Sequence, residues 1–292
     1  MPLTDWVEWD KETIDELFEK PIVPLELRGH HKLLASPLTK HYPIVGTAFD
    51  YAMRIKILML NQKLLGSNVT DFKMVADTGV KLFPNKRRKL FLQGFREKLS
   101  STLQGKLKYH SLLSDCIILA KLDSLYRAGQ NFPDSINFEV DRDDIKDLEN
   151  LTSLVIPEQW IANKQCLLNP TFGDSSLCVG GGDADLIMDN HLIEIKTTKY
   201  PKFEKEYWRQ MVGYWLLNLR EGNMYGVLDY IDIYYSRFAR LLSFPAPLWF
   251  PHPKEVGRDE DAKGLWETIE QSLKEYNPKG YFMSCWEMLK EE

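Results

Sequence analysis

The sequence predicts an α/β fold with a large helical N-terminal part, and three observations carry that expectation. Apolar residues recur at three- and four-residue spacing through roughly the first 150 positions. Two short β-rich runs then flank Asp189-Asn190, and an amphipathic helix leads from them into two further strand-like runs.

In chain order, Thr13 to Leu17, Phe49 to Leu65 and Ser111 to Tyr126 carry the helical spacing. The acidic, polar stretch Asn131 to Asn150 contains Pro133 and reads as a loop followed by a short helix, the best internal seam. Leu177 to Val179, Ala184 to Met188 and Leu192 to Thr198 read as strands. Glu204 to Arg220 is an amphipathic helix, and Val227 to Tyr235 is a strand with which Arg240 to Phe244 can pair. The tail is Pro-rich from Pro245 and helical from about Asp261 to Tyr276. The organisation expected is one domain: a helical, partly basic insertion over 60–150, a core over 151–245 and a helical extension over 246–292.

The chain has 292 residues, 44% hydrophobic and 27% charged, which is a globular composition with enough length for a substantial core. No apolar run approaches the roughly 18–20 residues that cross a bilayer, so no membrane partner is expected. The opening MPLTDWVEWDKE is acidic and has no apolar signal core, which predicts an intracellular, cytoplasmic protein. Cys116, Cys166, Cys178 and Cys285 stand far apart and read as free thiols rather than a zinc ribbon or a disulfide frame. His30-His31 and His41 read as surface or packing residues. The tryptophans, among them Trp208, Trp215 and Trp249, read as core rather than base-stacking platforms.

The net charge of −5 does not favour a polyanionic partner, but charge is unevenly spread. Between Lys81 and Lys108 nine Lys/Arg, including Arg87, Arg88 and Lys89, face one acid, Glu97. That run could follow a phosphate backbone, or it could be a solvated helical face.

The densest information lies in GGGDADLIMDNHLIEIKTTK, Gly180 to Lys199. Asp and Asn tolerate positive φ, so Asp189-Asn190 suits a two-residue turn. Met188 then faces His191, Ile187 faces Leu192 and Leu186 faces Ile193; a ladder continued further sets Asp185 opposite Glu194 and Asp183 opposite Lys196. Alternation places Ala184, Leu186, Met188, Ile193 and Ile195 on one buried face and the four charged residues on the other. Like charges directly opposed on a sheet are unfavourable, whereas a divalent cation between Asp185 and Glu194 converts repulsion into ligation by hard oxygen donors. The bland alternative is a solvent-facing hairpin with an Asp183–Lys196 salt bridge. The three glycines allow close backbone approach or a bulge. A phosphate-cradling loop lacks its following Lys-Ser/Thr and its helix.

An acid on one strand followed by E-x-K on the next, here Asp185 and Glu194-Ile195-Lys196, resembles the core of the PD-(D/E)XK nuclease superfamily. Tyr207-Trp208-Arg209-Gln210-Met211-Val212-Gly213-Tyr214 is similar to the Q-x-x-x-Y helix of its RecB-like branch. Gly46-Thr47-Ala48-Phe49-Asp50 resembles that branch's early G-x-x-x-H helix, with Asp50 at the histidine position. The resemblance covers about a third of the chain.

It implies a restriction-endonuclease-like core, a central mixed sheet flanked by helices. It also implies hydrolysis of phosphodiester bonds, in DNA foremost, with RNA and either internal or end-wise cleavage left open. Asp185, Glu194 and the carbonyl of Ile195 would bind Mg²⁺ or Mn²⁺, and Lys196 would position or deprotonate water. Gln210 would hydrogen-bond in the site, and Tyr214 would support it or touch DNA; Arg87, Arg88 and Lys89 would contact phosphates. Asp50 is either a further ligand or, with Thr47 as N-cap, a helix-capping residue. Only Cys285 follows Tyr214 and no cysteine precedes Gly46, so no iron–sulfur cluster is expected. The alternative is a non-catalytic nucleic-acid- or protein-binding module on the same fold.

Overall fold

The computed structural model describes residues 2–23, 32–65, 72, 74–128, 138–250 and 260–276. His30-His31, Cys285 and the Pro133 part of the expected seam lie outside them.

Among the described residues, eight α-helices precede the sheet: α1 (Pro2–Trp9), α2 (Lys11–Leu17), α3 (Tyr42–Leu60), α4 (Gln62–Leu65), α5 (Val75–Leu82), α6 (Lys86–Leu103), α7 (Leu113–Ala128) and α8 (Arg142–Ser153). Then come β1 (Cys166–Leu168), α9 (Gly173–Cys178), β2 (Leu186–Met188), β3 (His191–Lys196), α10 (Lys205–Arg220), β4 (Tyr230–Tyr235), β5 (Arg240–Pro245) and α11 (Glu260–Glu275). The strands lie side by side in chain order; β3 and β4 run parallel and every other pair antiparallel. The protein is thus mixed α/β, a five-stranded mixed sheet flanked by helices. A hairpin can join antiparallel neighbours, but the parallel pair needs a long crossover, and α10 is that crossover.

The β2–β3 register is the expected one, with Leu186, Ile187 and Met188 opposite Ile193, Leu192 and His191. Asp189 sits at φ 51°, the left-handed conformation that the turn requires. Its carboxylate also accepts the backbone N–H groups of Asn163, Lys164 and Gln165, pinning the turn to the chain that enters β1.

The ladder stops earlier than expected. Asp183 bridges Thr171 instead of Lys196, and the Ala184 N–H goes to the Pro170 carbonyl at 3.1 Å. Ala184 is therefore buried on the face opposite Leu186, Met188, Ile193 and Ile195. The apolar run Leu177 to Val179 is not a strand; it ends α9, which Gly180 and Gly181 terminate at φ 74° and 120°. These glycines close a helix. β1 and α1 carried too little pattern to be read from the sequence.

Both sheet faces are covered. Leu186, Met188, Ile193, Ile195 and Tyr234 pack with α3, α5 and α7, while Ile187, Leu192, Ile231, Ile233 and Tyr235 pack with α1, α10 and α11. Gly213 lets α1 lie close on α10, since a β-carbon there would come within 2.9 Å of Val7 Cγ1. Trp208 and Trp215 are core as expected, but Trp249 is 62% exposed. Cys116 and Cys166 are buried free thiols and Cys178 is half-buried.

A buried ion pair clamps the sheet to the helical part. Arg237, at the β4–β5 corner, donates to both Asp147 oxygens on α8 at 2.8 and 3.0 Å, and its carbonyl accepts Leu34 and Ala35 N–H. Removing one member strands a buried charge, so Asp147→Ala should lower unfolding stability by about 3–5 kcal/mol. A urea titration that finds less than about 1 kcal/mol would deny the clamp its role.

His191, opening β3, bonds the buried Asp232 of β4 through Nδ1 at 2.8 Å, and this hydrogen bond raises its pKa. A raised histidine pKa gives stability that is complete below the unfolded value of about 6.5 and is lost as pH rises through the folded value. The stability advantage of the parent over His191→Gln should therefore shrink in paired denaturation curves as pH rises above about 6.5, the unfolded histidine value. A constant or widening gap would contradict this.

Candidate active site

The predicted residues meet where β3 ends. Glu194 is buried on the α10 side of the sheet, 5% exposed, which excludes a solvent-facing hairpin. Alternation along β3 puts Lys196 on the same side, and its ammonium meets Glu194 Oε1 at 2.7 Å and Gln210 Oε1 at 2.9 Å. Gln210 Nε2 donates to the same Glu194 oxygen at 3.0 Å. Lys196 also stands 4.7 Å from the Tyr207 ring centroid. Burial alone would pull the Lys196 pKa down; the adjacent Glu194 carboxylate outweighs this and holds it above the ordinary lysine value.

Asp185 enters from the point where β2 has left the ladder. Its Oδ2 accepts the Ile195 backbone N–H at 2.7 Å, so the acid leans on the middle residue of E-x-K. Burial, then the charges of Glu194 and Asp50, push its pKa well above the usual carboxylate range. Glu194 is thus close enough to disfavour the ionisation of Asp185.

Tyr214 is buried, stacked on Phe172 at 5.8 Å between centroids, and its hydroxyl meets Gln210 Nε2 at 3.3 Å. It props Gln210 from behind and offers no surface to a substrate. Gln210 and Tyr214 are neighbours because residues four apart share a helix face.

Asp50 reaches the same place from α3. The helix begins at Tyr42 with Pro43 in its first turn, so Thr47 and Asp50 are interior and the capping reading is wrong. Both Asp50 oxygens are taken by Arg54, one helical turn on, with Arg54 Nε donating to Oδ1 at 3.0 Å and Nη2 to Oδ2. Burial raises the Asp50 pKa, Arg54 opposes it, and Asp123 and Glu194 add to it.

Two residues here escaped the sequence reading. Arg54 is 1% exposed, lies against the Tyr51 ring, and donates from Nη1 to Asn169 Oδ1 at 3.0 Å. Asn169 holds a left-handed backbone, φ 54°, donates its N–H to the Asp185 carbonyl at 3.0 Å, and donates Nδ2 to Asp183 Oδ2 at 3.1 Å. It fastens the chain on both sides of Ala184. The i, i+4 spacing of Asp50 and Arg54 was visible in the sequence; the Asn169 contact, 115 positions away, was not.

The basic run is elsewhere. It forms α6, where Arg88 is buried and donates to the Phe83 carbonyl at 2.9 Å, so it is not free to hold a phosphate as expected. Arg96 pairs with Asp77 and Lys98 with Asp115, and Arg87 lies over the Phe138 ring. Arg87 and Lys89 remain exposed. His41, exposed at the start of α3, bonds the buried Asp144 of α8 at 3.1 Å.

Compared with known proteins, the chain matches no protein-family model, no curated protein and no solved structure. The chemistry therefore has to be argued from the site. Four carboxylates, Asp50, Asp183, Asp185 and Glu194, share a network with two cations, Arg54 and Lys196. Among the described residues, no three His, Cys, Asp or Glu side chains gather as a ready-made metal shell. Asp50 is engaged by Arg54, which leaves Asp185 and Glu194. Each has one oxygen that takes no hydrogen bond from the described residues. Two hard oxygen donors in mutual repulsion fit Mg²⁺ or Mn²⁺.

Asn169→Ala should cost about 1–3 kcal/mol, because Arg54 and Asp183 lose a partner and a β-carbon stays in a left-handed backbone. Asn169→Gly keeps the backbone N–H and should recover about 1 kcal/mol of that loss. Equal denaturation midpoints for the two would show that the backbone conformation is not the constraint.

Proposed function

We propose that this protein is a divalent-metal-dependent nuclease of the PD-(D/E)XK type, RecB-like in its helix, acting on DNA foremost. The observation that carries this reading is the meeting of Asp185 with Glu194, Lys196 and Gln210 at one end of β3, as a nuclease signature spread over 26 residues would need. The restriction-endonuclease-like assignment of the fold rests on the same resemblance, and the mixed sheet with its α10 crossover supports it.

Asp185, Glu194 and the Ile195 carbonyl are the groups that would hold Mg²⁺ or Mn²⁺. When bound, such an ion lowers the pKa of water and polarises a phosphoryl oxygen. The chain's own residues do the rest. Lys196, held against Glu194 and Gln210, would position or deprotonate the attacking water and stabilise charge developing on the scissile phosphate. Gln210 orients Lys196 and Glu194 at once, and Tyr214 orients Gln210. Asp50, tied to Arg54, adds negative potential behind the pair rather than a free ligand.

Purified protein with Mg²⁺ or Mn²⁺ should cleave single-stranded DNA, duplex DNA or RNA, and a chelator should abolish the reaction. Glu194→Ala and Lys196→Ala should each lower turnover about 100-fold or more. If both variants cleave as fast as the parent, or activity survives chelation, the assignment fails. A folded parent that binds nucleic acid and cleaves none of these substrates favours the binding-module alternative.

A further inference from the structure

Three residues beyond Lys196, whose side chain is 18% exposed, Lys199, Tyr200 and Tyr42 form a lip on the surface. Tyr200 is 61% exposed and Tyr42 45% exposed. The Lys199 ammonium, also on the surface, stands 5.1 Å from the Tyr200 ring centroid and 5.8 Å from that of Tyr42. Tyr207, half-buried, lies under the Lys196 ammonium.

These groups come from separate elements, and their meeting is built. Thr197 Oγ1 is hydrogen-bonded to Ser236 Oγ at 2.9 Å, and Thr198 Oγ1 accepts the Tyr200 N–H at 3.1 Å, so the segment leaving β3 is held. α3 lies against the same segment at Gly46, where a β-carbon would stand 3.7 Å from Thr197 Cβ. Tyr42 stands one helical turn before Gly46 and so joins the lip from the other side.

We propose that this lip is a binding surface for single-stranded nucleic acid, with unpaired bases stacked on Tyr42 and Tyr200 and a phosphate at Lys199, leading the strand to Lys196. The inference rests on the nuclease reading for what the site does, but the lip itself can be tested apart from cleavage. Two exposed tyrosines that share one lysine ammonium suit unpaired bases, whose faces are free; a duplex hides those faces and offers only edges and phosphates. The α6 helix, the other basic surface, spends Arg88, Arg96 and Lys98 on contacts within the protein.

The test is fluorescence anisotropy of the full chain in EDTA, with labelled oligothymidylate and with a blunt hairpin duplex. The parent should bind the single strand more tightly than the duplex. Tyr42→Ala/Tyr200→Ala should weaken strand binding about 10-fold or more, and Tyr42→Phe/Tyr200→Phe should restore it, since phenyl rings stack as well. Arg87→Ala/Lys89→Ala should weaken it less than the tyrosine pair. Circular dichroism checks that each variant is folded.

The proposal is overturned if the alanine pair binds like the parent, if the duplex binds better, or if the parent binds no strand. Cleavage that proceeds while the alanine pair binds normally removes the lip and leaves the nuclease reading intact. Lip-dependent binding without any metal-dependent cleavage does the reverse.

Discussion

A carboxylate buried within a sheet face sets the terms for the centre of this molecule. Glu194 is almost wholly removed from water, and an unpaired charge there would cost several kcal/mol. Lys196 and Gln210 meet that demand on one oxygen. Lys196 can do so because it is two residues on along the same strand. Gln210 can do so only if a helix crosses that face of the sheet, and the crossover that a parallel β3–β4 pair requires supplies it. Sheet topology and site chemistry thus impose the same position on α10. Gly213 and Tyr214 then let α1 close over its outer side and Phe172 pack behind it.

The other acid is placed by a failure of regularity. Had the β2–β3 ladder continued, Asp185 would have stood across from Glu194 with its backbone committed to pairing. Instead the chain leaves at Leu186, and Asn169 takes the Asp185 carbonyl while Ile195 takes its carboxylate. A non-glycine residue in a left-handed conformation stores strain, and such strain persists where surroundings over-determine it. Arg54 and Asp183 are those surroundings, through both ends of the Asn169 amide.

What was legible in the sequence follows the range of each interaction. Alternation and the Asp189-Asn190 turn are local, so the hairpin register could be read residue by residue. Helical spacing is local too, and it located α10 and the body of α3, although Pro43 was the overlooked sign that α3 starts early enough to leave Asp50 interior. Leu177 to Val179 misled because three apolar residues fit a strand or a helix end equally well, and only Gly180 and Gly181 decide. Arg54 and Asn169 were invisible because their partnership joins a helix to a strand end far along the chain. Trp249 shows the converse error: size and apolarity do not guarantee burial.

Charge shows the same gap between sequence and space. Counted along the chain, 81–108 is the most basic segment, yet α5 and α7 bring Asp77 and Asp115 against it, and Arg88 turns inward. Counted in space, the cluster at the end of β3 carries more acids than bases. On the nuclease reading an anionic strand must approach that cluster against its field, which like charge opposes at close range. Two features answer this in different places. A divalent cation between Asp185 and Glu194 would reverse the sign among the acids. Lys199 would meet the strand outside them, and the tyrosines beside it would add attraction that does not depend on charge. On that reading, the acid surplus that would suit the cluster to metal is also the reason that a strand-binding surface belongs beside it rather than within it.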